Sequence, residues 1–420
     1  MRKKRTLSRG VLFLFIGYAV NFLGSGMTMP FLMVYLHQVR HISLVWSGII
    51  LSASSIAGVL TAPLIGILVD RFGAMRTLMT SVIVLAFGTV GFAITKQVWS
   101  ALIVSALTGS GNSAMWSGLS TQLARLADKT DRARLFGMSY AVQNLGLGLG
   151  SGISGLIVHT NDPLSFARLF LFDGLTYVLF IPFLIPVKRE LPSEKSVTLG
   201  QNKAESKELC ESEVYGYRTV LKDRALLAVT GLNLFFVVFG FSQLSSAFST
   251  WAVSQGGIGT SVIGFAFFAN CIGITLLQIP VLHLTAVWRR TRAAAAAGLG
   301  FLLCWFMVFV AGKVHEPLNS ILLVSALVVF GIGETFLSPS LVPLVNNLAH
   351  EAVRGRYNAM YNLSWQVGLI LGPLVAGFAL EHGSGSLLFL LLALLCGLGG
   401  LGALIMERII PNTANQGEGM

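Results

Sequence analysis

Glu334 lies inside an apolar run, 318–348, about 16 residues from its start. An ionisable side chain in such a place is costly to bury, so it marks a functional position. A carboxyl there could take up and release protons, or hold a cationic solute; a protonated glutamate bonded to a neighbouring helix is the plainer reading. Asp173 is a second acid in an apolar run, 166–187. Arg168 sits five residues earlier, one and a half turns away, and could meet it only by reaching. A structural charge on a helix–helix face therefore competes with proton coupling for Asp173. Amides and indoles follow in other apolar runs: Asn21, Asn112, Trp116, Gln143, Asn144, Gln243, Trp365 and Gln366. Set around a largely apolar cavity, they would suit an amphipathic organic molecule. Each is equally able to make a helix–helix hydrogen bond.

Enzyme chemistry finds little support. Gly150-x-Gly152-x-x-Gly155 and Gly397-x-Gly399-x-x-Gly402 have dinucleotide-loop spacing but neither follows a strand. There is no P-loop, and Cys210, Cys271, Cys304 and Cys396 are too scattered for a zinc site or a disulfide framework. No metal or cofactor is expected.

The elements that must position these residues follow from composition. The chain has 420 residues, of which 54% are hydrophobic and 11% charged. A soluble domain carries about 25% charged residues, so this chain could not cover a water-facing surface. The apolar runs are long and continuous, which excludes a membrane β-barrel. A spanning helix needs about 20 apolar residues. Twelve runs qualify: 11–36, 44–69, 77–95, 99–124, 135–158, 166–187, 225–252, 260–287, 293–312, 318–348, 357–381 and 385–406. The expected fold is an all-α integral membrane protein with twelve transmembrane helices in two six-helix bundles. The first bundle would occupy 1–187 and the second 225–406, with a charged linker at 188–224 and a tail at 407–420. The first run is too long for a signal peptide and lacks a small-x-small cleavage site.

With the N-terminus inside, all but four of the 29 Lys and Arg residues fall on the same side. The four exceptions are Arg40, Lys96, Arg168 and Lys313. This asymmetry places both termini and the linker in the cytoplasm. It explains the net charge of +11 by topology and contact with anionic lipid, not by nucleic acid.

The halves are related. At an offset of 222, residues 109–155 align with 331–377 without gaps. Matched pairs include Gly109/Gly331, Gly111/Gly333, Arg132/Arg354, Arg134/Arg356, Gly146/Gly368, Gly150/Gly372 and Gly155/Gly377. Parallel repeats imply two halves about an axis along the membrane normal, with a substrate site between them.

Between spans 2 and 3 the chain reads Gly66-x-x-x-Asp70-Arg71-x-Gly73-x-x-Arg76. This resembles the loop signature of the major facilitator superfamily. The resemblance covers nearly the whole chain and implies alternating access, with Asp70 and nearby arginines latching the cytoplasmic side. Gly66 is expected to let span 2 approach a neighbour. Asp70 is expected near the start of span 3, where the helix dipole favours its charge. The second half has Trp288-Arg289-Arg290-Thr291-Arg292 at the equivalent loop, without an acid. In span 5, Gly137, Gly146, Gly150 and Gly155 resemble the glycine signature of the exporter branch. Ser151 and Ser154 replace its proline and one glycine, whereas span 11 keeps Gly368, Gly372 and Pro373. Small residues there are expected to pack against the other half. The arginine that many proton-coupled exporters carry in span 4 is absent; Ser105 stands in its place.

The expectation is a monomeric secondary transporter with a small-molecule substrate, exchanging a drug or metabolite for protons. An importer or facilitator of a polar metabolite is the alternative within transport. A transport-inactive receptor or scaffold on the same fold is the alternative outside it.

Overall fold

The computed structural model describes residues 8–126, 132–190, 220–350, 353–383 and 385–416. Most of the expected linker lies outside these residues. Among them no strand occurs, and twelve long helices alternate in direction. They are α1 (Arg9–Val39), α2 (Leu44–Phe72), α3 (Ala74–Ile94), α4 (Val98–Leu126), α5 (Arg132–Ile157) and α6 (Pro163–Glu190). The second set is α7 (Arg224–Ser254), α8 (Thr260–Thr285), α9 (Arg290–Ala311), α10 (Leu318–Leu348), α11 (Arg354–Glu381) and α12 (Leu387–Arg408). Ten are long and apolar enough to cross a membrane. The other two, α4 and α5, are as long but more polar. Helices satisfy their own backbone groups, which a bilayer core demands.

Local sequence sets the helix ends. Ser8, Ser43 and Asp223 cap the N-termini of α1, α2 and α7, each accepting a backbone N–H. Gly73 closes the turn between α2 and α3 at φ +88°, a backbone shape that side chains resist, so the signature needs glycine there. Two π-helical segments, Val237–Phe241 and Leu244–Phe248, interrupt α7, and α10 breaks at Ser338–Ser340. Arg290 steadies that break by donating to the Pro339 carbonyl at 2.8 Å.

The twelve helices form two six-helix bundles. The face where α1 begins and α12 ends is here the terminal face; the opposite one is the far face. Near the far face the halves share one buried apolar cluster, in which Phe31, Tyr35 and Phe166 of the first half join Phe248, Trp251 and Phe267 of the second. Nearer the terminal face the first half has a separate core around Leu78, Val82, Phe180 and Leu184.

The repeated glycines show how the halves meet, and they correct one expectation. A Cβ on Gly146 would lie 2.8 Å from Phe22, and one on Gly150 would strike the Leu23 carbonyl, so both pack on α1 of their own half. Gly368 and Gly372 pack likewise on Val237 and Ser242 of α7. Only the last glycine of each set crosses over: Gly155 meets Gly264 of α8, and Gly377 meets the Leu44 carbonyl of α2. The Pro373 carbonyl lies against Gly48 of α2. Gly137 and Gly66 have nothing within 4 Å of an added Cβ, so neither is a packing glycine. The span 5 signature is thus mainly a seam within one bundle.

Polar contacts join the halves on the far side. Ser52 of α2 donates to the Ile370 carbonyl at 2.6 Å, and Thr260 of α8 to the Val158 carbonyl at 2.7 Å. The Glu381 carboxylate, at the end of α11, accepts the Leu44 and Val45 N–H groups at 2.5 and 3.2 Å. A negative charge is favoured there, at the N-terminus of α2.

Candidate functional site

Gly58, Ser54, Asn112 and Trp116 belong to α2 and α4, and Tyr361, Trp365 and Gln366 to α11. Together they wall a cavity of about 650 Å³ between the halves. It lies on the terminal side of the Ser52–Ile370 contact. Spacing explains the lining: Asn112 and Trp116 are four residues apart on one helical face, as are Tyr361 and Trp365. Trp365 stacks against Phe241 of α7, ring centroids 5.0 Å apart.

A second cavity of about 380 Å³ runs from there into the first half. It shares Ser54, Asn112 and Trp116 with the first and adds Gln143, Ser25, Thr28, Tyr177 and Asp173. Asn21, Ser25 and Thr28 fall at i, i+4 and i+7 on α1, which turns them to one side. Asp173 and Tyr177 are one turn apart on α6. The Thr28 hydroxyl donates to Asp173 Oδ2 at 2.8 Å, and Ser25 and Tyr177 share a hydrogen bond at 3.2 Å. Asp173 is 3% exposed. Arg168 is exposed, so the reaching pair is not what holds this acid; a hydroxyl is.

Glu334 stands at the middle of α10, half-buried, and accepts a hydrogen bond from the Tyr140 hydroxyl at 2.9 Å. Tyr140 is on α5, in the other half. The bond therefore crosses the interface directly. Sequence reasoning missed Tyr140, Tyr361, Ser25, Thr28 and Tyr177; the available signal was hydroxyls at helical spacing from the amides already chosen.

Three of the proposed lining residues are placed elsewhere. Gln243 is fully buried and donates to the carbonyls of Val238 at 2.6 Å and Gly372 at 3.1 Å. It sits between the two π-helical segments of α7, ties them to α11, and faces neither cavity described. Asn144 donates to the Tyr140 carbonyl at 3.0 Å within α5. Asn21 is buried against Tyr177, at the back of the second cavity. Asn112, Trp116, Gln143, Trp365 and Gln366 do come together.

The signature loop is also placed differently. Asp70 and Arg71 are in the last turn of α2, ahead of Gly73, and not at the start of α3. Asp70, Arg71 and Arg76 are exposed at the terminal face. In the second half the acid absent from the loop comes from another element: Glu407 pairs with Arg289 at 2.9 Å and Arg292 at 3.2 Å. Ser105, at the position of the missing arginine, is buried and donates to the Ile50 carbonyl, fastening α4 to α2.

Comparisons with known proteins fit this arrangement. The family model described as Major Facilitator Superfamily matches residues 14–261 and 230–419. The chain is 25% identical over 369 residues to the uncharacterized MFS-type transporter YqjV of Bacillus subtilis, covering 87% of this chain and 85% of that one. It is 24% identical over 374 residues to the quinolone resistance protein NorA of Staphylococcus aureus, covering 88% and 90%. Among solved structures, a D-xylose-proton symporter superposes with TM-score 0.74 at 14% identity, covering 97% and 99%. A bacterial homologue of the human drug peptide transporters PepT1 and PepT2 gives 0.74 at 15% identity, covering 96% and 99%.

Proposed function

Because the chain belongs to the major facilitator superfamily, and so is a multi-span membrane transporter and not an enzyme, we propose that it exports a small organic molecule, a drug or metabolite, by alternating access in exchange for protons. In this reading the terminal face is cytoplasmic, as its excess of Lys and Arg suggests. The arrangement described is then the inward-open one, with the far face sealed and the cavity between the halves facing the cytoplasm. Asn112, Trp116, Gln143, Trp365 and Gln366 contact the solute, while Asn21, Asn144 and Gln243 hold the walls. Asp70, Arg71 and Arg76 latch the cytoplasmic side when the halves rock the other way. Asp173 is a second acid within reach of the pathway.

One observation carries the coupling: Tyr140 of one half donates to the Glu334 carboxyl of the other at 2.9 Å. An ionised acceptor makes a stronger hydrogen bond than a neutral one. An ionised Glu334 therefore holds the halves in this arrangement through Tyr140, and a proton on Glu334 loosens the tie. Proton occupancy and rocking become one equilibrium. Similarity to the quinolone resistance protein NorA supports a drug as the class of solute.

The test is transport in proteoliposomes under an imposed pH gradient, screened across dyes, antibiotics and metabolites. Gradient-accelerated efflux that is lost in Glu334→Gln supports the reading. Undiminished, gradient-dependent transport in that variant would falsify it. A second reading, an importer or facilitator, is favoured by Ser105 where exporters carry arginine and by Ser151 where they carry proline. It predicts solute movement indifferent to the direction of the gradient, or driven inward by it.

A further inference from the structure

We infer that the inner cavity, on the first-half side, is the recognition end of the solute site and takes the protonated amine of a small aromatic cation on Asp173. An ionised carboxylate has room for about four hydrogen bonds. Asp173 Oδ2 receives one, from Thr28 at 2.8 Å. Among the described residues the one hydrogen-bond donor near its Oδ1 is Thr176 at 3.5 Å, whose hydroxyl is better placed on the Asp173 carbonyl at 2.7 Å. The acid is thus buried and short of donors, a state that calls for a further donor or a counter-charge. No Lys, Arg or His is among the described residues that line the cavity, so the protein supplies no counter-charge there. The space of about 380 Å³ beside it is left for a ligand to do so.

The rest of the wall fits the same class of ligand. Phe22, Phe92, Phe170 and Trp116 face the cavity, offering aromatic surface that packs on rings and attracts cations. Ser25 and Tyr177 add hydroxyls next to the acid. Trp116 is 43% exposed and lines both cavities, so a ligand can pass it from the opening between the halves. This site deepens the proposed transport of an organic molecule by naming a substrate class, and it assigns recognition to Asp173 and coupling to Glu334.

The experiment is equilibrium binding to the purified full chain in lipid nanodiscs, without any gradient. The probes are phenethylammonium and its neutral counterpart 2-phenylethanol, which share a ring and chain. The site requires the cation to bind at least tenfold more tightly than the alcohol. Asp173→Asn must bring the cation down to the level of the alcohol and leave the alcohol unchanged. Should Asp173→Asn fail to fold, Ser25→Phe fills the space without touching the acid and must abolish cation binding. Equal binding of both probes, or cation binding that survives Asp173→Asn or Ser25→Phe, overturns the site. Because no gradient is present, failure of export or of proton coupling leaves this result intact.

Discussion

Tyr140 and Glu334 are 194 residues apart in the chain and belong to different halves, yet the hydroxyl of one donates to the carboxyl of the other at 2.9 Å. A hydrogen bond to a charged group contributes about 1.5–3 kcal/mol. Removing the donor should therefore disturb coupling without disturbing the cavity walls. Tyr140→Phe is expected to lower gradient-driven transport at least tenfold and to leave solute exchange at equal pH within twofold of the parent. Equal losses in both assays would mean that Tyr140 serves packing alone.

Glu381 offers a similar relation on the far face, where it caps the N-terminus of α2 across the interface. A carboxylate in that position contributes about 0.3–1 kcal/mol through the helix dipole, so that contribution alone shifts the balance of states up to about fivefold, and the two hydrogen bonds add to it. Spin labels at Leu164 and Leu387, both exposed near the far face, can read that balance as a distance distribution. Glu381→Ala should increase the long-distance population. An unaltered distribution would remove Glu381 from the far-face seal.

The glycines of α5 make a graded set. Gly137 faces open space, so Gly137→Ala should be tolerated and should stabilise the helix by up to about 1 kcal/mol. Gly150 lies against the Leu23 carbonyl, so Gly150→Ala must push α1 from α5 at a cost of about 1–3 kcal/mol. Thermal unfolding in detergent, with transport measured alongside, separates the two. Equal effects would return all four glycines to a single role.

Glu407 binds Arg289 and Arg292 at the terminal face, and both arginine side chains are well exposed, at 39% and 59%. Exposed pairs of this kind contribute about 0–1 kcal/mol and weaken with salt. Glu407→Gln should lower the unfolding temperature slightly at low salt and not at all in high salt. A large loss at both salt concentrations would point to the Thr291–Glu407 hydrogen bond, 3.1 Å long, as the important contact.

The number and approximate extent of the long helices were legible from the amino-acid order alone, since bilayer thickness acts on each stretch of chain locally. The expected run 318–348 and the helix Leu318–Leu348 have the same ends. The repeat likewise foretold which helices correspond, and Glu334, Asn112 and Trp365 were picked out by type and depth. Which way each side chain turns was another matter. Gln243 looked like a lining amide, but π-helical turns in α7 rotate it into α11. Gly66 and Gly137 looked like packing residues and face open space. Asp70 was expected near the start of α3 and instead lies in the last turn of α2. Tyr140, Thr28 and Glu381 acquired meaning only through partners more than 100 residues away. Such contacts depend on how twelve rods rotate and settle against one another, and that is a property of the assembled bundles.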